Sequence, residues 1–169
     1  MILAVTGHRP QKLGGFSDTN LCKLKEFAEK TLEYMNTQYK ISYVITGMAL
    51  GWDMAVAEAC LELNIPYEAY IPCLGQDSKW TDDSRELYKH LIEYAYNIVQ
   101  VTNQPFTYSC MQERNIAMVK DCDRLLALWD GSPGGTANCV AYAKKIGRSI
   151  TTCWNSWVKF NELYSSRPT

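Results

Sequence analysis

Three short stretches gather the residues with chemistry to offer. The first is Thr6-Gly7-His8-Arg9-Pro10, where a glycine allows a tight turn and His8 and Arg9 supply two nitrogen-rich side chains. The second is TGMALGWD, from Thr46 to Asp53, with Gly47 and Gly51 four apart. A loop of that kind before a helix exposes backbone N–H groups, which suit a phosphate. It is neither GxGxxG nor the GK[ST] loop of a nucleoside-triphosphate site. Asp53 has two readings, a contact to a ribose hydroxyl or an acid favouring a helix start. The third stretch runs from Asp130 to Cys139 and holds Gly134, Gly135 and Thr136. It forms a second anion cradle, with Asn138 either reading a base or sugar edge or satisfying the helix start.

The elements that must position these loops alternate. Short apolar runs at residues 2–5, 41–45, 67–71, 98–101, 125–129 and 149–152 read as strands. Helical spacing occupies 19–39, 51–63, 82–95, 111–119 and 136–146, with a short terminal helix through Phe160. Strands alternating with helices build a parallel sheet covered on both faces. The expected fold is therefore α/β: a Rossmann-like, doubly wound, mainly parallel sheet of about six strands, with residues 1–169 as one domain. All three loops follow strands, at the edge where such sheets hold ligands.

Bulk properties exclude several classes. The formal net charge of −1 argues against a nucleic-acid partner, which a basic face would recruit. No apolar run reaches about 18 residues, so no membrane span is expected, and the amino-terminal stretch is too short for a signal core. The seven cysteines are scattered without CxxC, and only two histidines accompany them. Neither a disulfide framework nor a metal site is expected, and a reducing cytoplasm fits best. Trp154, Trp157 and Phe160 make one aromatic face on the last helix, docked on the domain or on a partner. Trp52 either stacks on a base or packs, Trp80 and Tyr88 either fix a lid-like segment or fill core, and His90 reads as surface.

The chain resembles the SLOG superfamily, Rossmann-like domains shared by DNA-processing protein A, YpsA-type proteins and the Lonely-guy phosphoribohydrolases. TGHRP, TGMALGWDMAVAEA and the Trp80 to Tyr88 segment look like the YpsA branch. MQERNIAMVKDCDRLLALWDGSPGGTANC, residues 111–139, also looks like the phosphoribohydrolase signature. That resemblance places Arg114 at the family's arginine, and its planar fork matches phosphate. A surface ion pair with Asp121 is the alternative. It also places Cys139 where the family's catalytic glutamate stands. A neutral thiol cannot stabilise the oxocarbenium charge that develops when an N-glycosidic bond breaks. Glu113 points about 100° away from Arg114 on a helix. The resemblance thus implies binding of a phosphate-bearing nucleotide derivative, such as a cyclic nucleotide or ADP-ribose-type signal, without turnover and without a cofactor. It also implies a homo-oligomer. The competing expectation is an N-glycosidase or phosphoribohydrolase whose carboxylate comes from Asp53, Glu58, Asp130 or Glu113. Single-stranded DNA binding is a weaker third.

Overall fold

The computed structural model describes residues 1–166, so the last three residues of the expected 1–169 domain lie outside the described residues. Six strands form one sheet: β1 (Ile2–Gly7), β2 (Tyr43–Thr46), β3 (Tyr67–Ile71), β4 (Asn97–Gln100), β5 (Arg124–Leu128) and β6 (Ser149–Thr152). Their order is β4-β3-β2-β1-β5-β6, and each neighbouring pair is parallel. The fold is Rossmann-like α/β, and its sheet is parallel throughout.

Six helices follow the strands: α1 (Asp18–Tyr39), α2 (Trp52–Glu62), α3 (Asp82–Glu93), α4 (Tyr108–Asp121), α5 (Gly135–Lys145) and α6 (Trp154–Ser165). Successive strand residues point to opposite faces, and the core divides accordingly. Leu3 and Val5 of β1 face a layer that includes Phe27, Leu32, Trp52, Leu91 and Trp157. Ala4, between them, faces a layer with Met118, Val119, Cys139 and Val140. Thus α1, α2, α3 and α6 cover one face, while α4 and α5 cover the other.

Some boundaries shift for local reasons. Helix α4 begins at Tyr108, three residues before the expected Met111, because Thr107 Oγ1 caps it by accepting from the Cys110 N–H. Strand β2 begins at Tyr43 after Lys40 ends α1 in a left-handed conformation. Pro10–Lys12 forms a single 3-10 turn where the sequence reads only as loop. The aromatic face of α6 docks on its own chain: Phe27 lies 5.2 Å from Trp157 and 5.4 Å from Phe160, ring centre to ring centre. Among the described residues, no helix is long and apolar enough to cross a membrane.

Candidate ligand-binding site

Strand order fixes where a crevice must open. From β1 the chain winds outward through β2, β3 and β4, then returns to place β5 on the other side of β1. The loops after β1 and β5 therefore diverge to opposite faces, which leaves a gap at the strands' carboxyl ends. A crevice of about 710 Å³ lies there.

The end of β1 and the segment after it supply Gly7, His8, Arg9 and Lys12 to its wall. The loop after β5 and the start of α5 supply Ser132, Gly134, Gly135, Thr136 and Asn138. The first N–H groups of a helix have no partner within it, so the start of α5 presents donors to this wall. A side chain added at Gly134 or Gly135 would meet nothing nearby, so these glycines leave the backbone bare to the crevice.

Two contacts clasp the two loops together. His8 Nε2 lies 2.7 Å from Asp130 Oδ1, and Lys12 Nζ donates to Ser132 Oγ. The hydroxyl and N–H of Ser132, together with His8, hold the Asp130 carboxyl well below the usual carboxylate range. His8 Nε2 also lies 3.2 Å from the Asp130 N–H, so the ring faces both the side chain and the backbone of Asp130.

Arg114 comes from α4 and is 6% exposed. Its guanidinium donates to the Gly47 carbonyl and, through Nε, to Asn115 Oδ1 at 3.0 Å. Asn115 in turn donates to the Gly135 carbonyl at 3.4 Å. The alternative surface pair with Asp121 does not form, since Asp121 accepts from the Tyr70 hydroxyl at 2.8 Å. Arg114 is a floor residue tied to both glycine loops.

The loop after β2 behaves differently from its sequence reading. Thr46, Gly47 and Gly51 do not line the crevice; this loop contributes Ala49, and the first turn of α2 contributes Asp53. Its glycines make room for neighbours. A side chain at Gly47 would occupy the seat of the Arg114 guanidinium, and one at Gly51, where φ is +95°, would strike the His8 carbonyl at 2.6 Å. Thr46 Oγ1 donates to the Asp53 carbonyl at 3.0 Å. The N–H of Trp52 goes to the His8 carbonyl at 3.3 Å, and that of Ala49 to Asp53 Oδ2 at 3.4 Å. Donors expected to cradle a phosphate are instead spent on the protein's own groups.

Asp53 is therefore the unusual member. It is 5% exposed, lines the crevice and stands beside Arg114. Burial pushes its carboxyl up to about 6, against the opposing pull of Arg114, the Ala49 N–H, Arg9 and the Gly47 N–H. Cys139 is fully buried behind the crevice, and burial pushes its thiol up to about 12. Of the other carboxylates considered, Glu113 is exposed, Asp130 is held in the clasp, and Glu58 lines a separate groove between α1 and α2. Among the described residues no group of three or more His, Cys, Asp or Glu is placed to hold a metal.

Sequence reasoning missed Lys12, Phe106, Tyr108, Met111, Gln112 and Asn115, which all line the crevice. Tyr108, Met111, Gln112 and Asn115 repeat at i, i+3, i+4 and i+7, the spacing of one helix face. Starting the helix at Met111 hid that pattern. Trp52 is wholly buried, with its ring against Gly7 and tilted on Phe27 at 5.7 Å, so it packs rather than stacks on a ligand. Trp80 and Tyr88 meet edge to face at 5.3 Å. Tyr88 donates to Gln76, and Gln76 donates to the Gly47 carbonyl, so this pair steadies the segment beside Arg114. His90 is exposed and rests on Tyr94.

A parallel doubly wound sheet with a crevice at its switch point defines a Rossmann-like α/β protein with a candidate ligand site at the strands' carboxyl ends. A profile of the YspA SLOG family matches residues 3–160, and the chain belongs to that family. It is similar to UPF0398 proteins of bacilli. One from Bacillus cereus (strain B4264) is 27% identical over 172 aligned residues, covering 96% of this chain and 92% of that one. One from Bacillus anthracis (strain A0248) is 24% identical with the same coverage. The fold is also similar to solved structures. DNA processing protein A from Streptococcus pneumoniae superposes with a TM-score of 0.62 at 16% identity, over 89% of this chain and 49% of that chain. The Helicobacter pylori protein of the same name gives 0.63 at 12% identity, over 99% and 82%. The Moco carrier protein of Chlamydomonas gives 0.54 at 17% identity, over 89% and 74%.

Proposed function

We propose that this protein binds a phosphate-bearing nucleotide derivative in the switch-point crevice and returns it unchanged. One observation carries the reading. Arg114 and the donor-rich start of α5 line one crevice, while the position that holds a catalytic glutamate in related phosphoribohydrolases is a buried thiol behind it. A charge-assisted fork and bare amides recognise phosphate oxygens. A neutral thiol at that depth neither stabilises an oxocarbenium ion nor attacks it. The Chlamydomonas neighbour is described as a carrier, which is in keeping with holding a ligand. One binding unit, acting as a homo-oligomer in the cytoplasm, belongs to the same reading.

The test is direct. The purified protein is denatured and the released small molecules are identified by mass spectrometry. Ligand-free, refolded protein is then titrated calorimetrically with nucleoside monophosphates, cyclic nucleotides and ADP-ribose. Saturable binding with the ligand recovered intact is expected. Absence of saturable binding across that panel would sink the reading.

Asp53 favours a second reading, an N-glycosidase acting on nucleoside monophosphates. A carboxyl pushed up to about 6 inside the crevice is suited to proton transfer near neutral pH. Release of free base, abolished by Asp53→Asn, would favour it over simple binding. The Helicobacter neighbour is described by its single-stranded DNA binding mode. An oligonucleotide arm in the same titration, repeated at rising salt, tests that partner against the expectation from net charge.

A further inference from the structure

The geometry points to a nucleobase platform at the mouth of the crevice, made by Phe106 and Tyr108 and extended along α4 by Met111 and Gln112. This inference rests on the nucleotide-binding reading and names the part of the ligand that the phosphate donors do not explain.

Tyr108 is 91% exposed and Phe106 is 53% exposed, so neither ring serves the core, yet both line the crevice. Their ring centres lie 5.8 Å apart at an interplanar angle of 71°. Exposed aromatic surface at the rim of a ligand-sized crevice marks a place for a ligand's apolar part. The rings are not carried on a loose loop. The N–H of Leu74 donates to the Gln104 carbonyl at 3.0 Å, Leu74 bridges Pro105, and Thr107 caps the helix that starts at Tyr108.

The two poles of the crevice then fit one kind of molecule. From Tyr108 to Arg114 is six residues, a rise of about 9 Å along α4. At one end are flat, electron-rich faces; at the other are Arg114 and the start of α5. A planar heterocycle joined through a sugar to phosphate satisfies both ends, whereas free phosphate or a sugar phosphate satisfies one. Gln112, one turn beyond Tyr108 on the same face, can donate and accept at the edge of the stacked ring.

The experiment uses 2-aminopurine riboside 5′-monophosphate, whose fluorescence is quenched when its ring stacks, with ribose 5-phosphate as the base-free comparator. The wild-type protein should quench the first saturably. Phe106→Ala/Tyr108→Ala should weaken that binding by roughly ten-fold or more, with ribose 5-phosphate affinity, read by calorimetry, unchanged. Tyr108→Phe should keep the quenching. The platform is overturned if the double variant binds the fluorescent nucleotide as well as wild type, or if ribose 5-phosphate binding falls in step with it. Wild-type protein that binds ribose 5-phosphate and the nucleotide equally, without quenching, removes the platform and leaves phosphate recognition standing. Wild-type protein that binds neither removes the nucleotide reading itself.

Discussion

The Arg114 guanidinium donates to the Gly47 carbonyl across 67 positions of sequence, and it fills the space that a side chain at position 47 would need. Glycine at 47 is thus a fitted seat for an arginine. Gly47→Ala should displace the guanidinium and reduce affinity for phosphate-bearing probes by about ten-fold or more, the scale of one charge-assisted hydrogen bond. Overpacking should cost about 1–3 kcal/mol of stability. In an Arg114→Ala background the added methyl has nothing to displace, so the second substitution should cost far less. A double-mutant cycle by chemical denaturation measures this coupling; additive losses would show that the seat is not shaped by Arg114.

Asp53 is held in the fold at a cost. Its folded value of about 6 lies above the ordinary 3.8, so the folded state binds the proton more tightly than the unfolded one. Stability from this group is fully present below about pH 4 and is lost as pH rises through 6. The deficit at neutral pH is at most about 3 kcal/mol. Asp53→Asn, which keeps an acceptor for the Ala49 N–H, should therefore raise the melting temperature at pH 7.5 and change little near pH 4. Equal shifts at both values would show that the charge is not what strains the site.

A reader of the sequence could see the alternation of strands and helices, and with it the sheet, the crevice's edge and part of its wall. Gly7, Arg9, Gly134, Gly135 and Thr136 are legible because strand-to-helix loops with glycine announce themselves locally. The role of Gly47 and Gly51 is not, because their neighbours Arg114 and His8 arrive from distant sequence. The same blindness hides Tyr108, whose helical face becomes visible once Thr107 is recognised as the cap. Cys139 could be placed by resemblance, but its depth behind Thr6 and Asp53 is a property of packing.

Binding of an anion should be coupled to Asp53. A phosphate entering beside an ionised carboxylate is repelled, and one entering beside the protonated form is not. Affinity should increase several-fold as pH falls through about 6, with uptake of a proton on binding. Calorimetry at pH 6.5 in buffers of different ionisation enthalpy counts that proton. Asp53→Asn should flatten the profile; an unaltered profile would place the titrating group elsewhere.

Cys139 should be chemically silent. Burial pushes its thiol up to about 12, so alkylating reagents should reach it only in unfolded protein. Cys139→Ala should leave ligand affinity intact and cost on the order of 1 kcal/mol through the small void left behind. Loss of nucleotide binding with unchanged stability would instead give the thiol a part in recognition.

The clasp between His8 and Asp130 offers a contrast with Asp53 that separates their effects. The Asp130 carboxyl is held well below the usual range by Ser132 and His8, so the contribution it makes is present at neutral pH and lost only in strong acid. Its titration therefore cannot shape binding between pH 5 and 8. Asp130→Asn weakens the hold on His8 Nε2, which joins the two walls of the crevice, and on the Ser132 N–H and hydroxyl within its own loop. The expected result is a loss of affinity of the same size at every pH in that interval, with the inflection near 6 still in place. A variant that lost the inflection as well would mean that the two carboxylates titrate as one system.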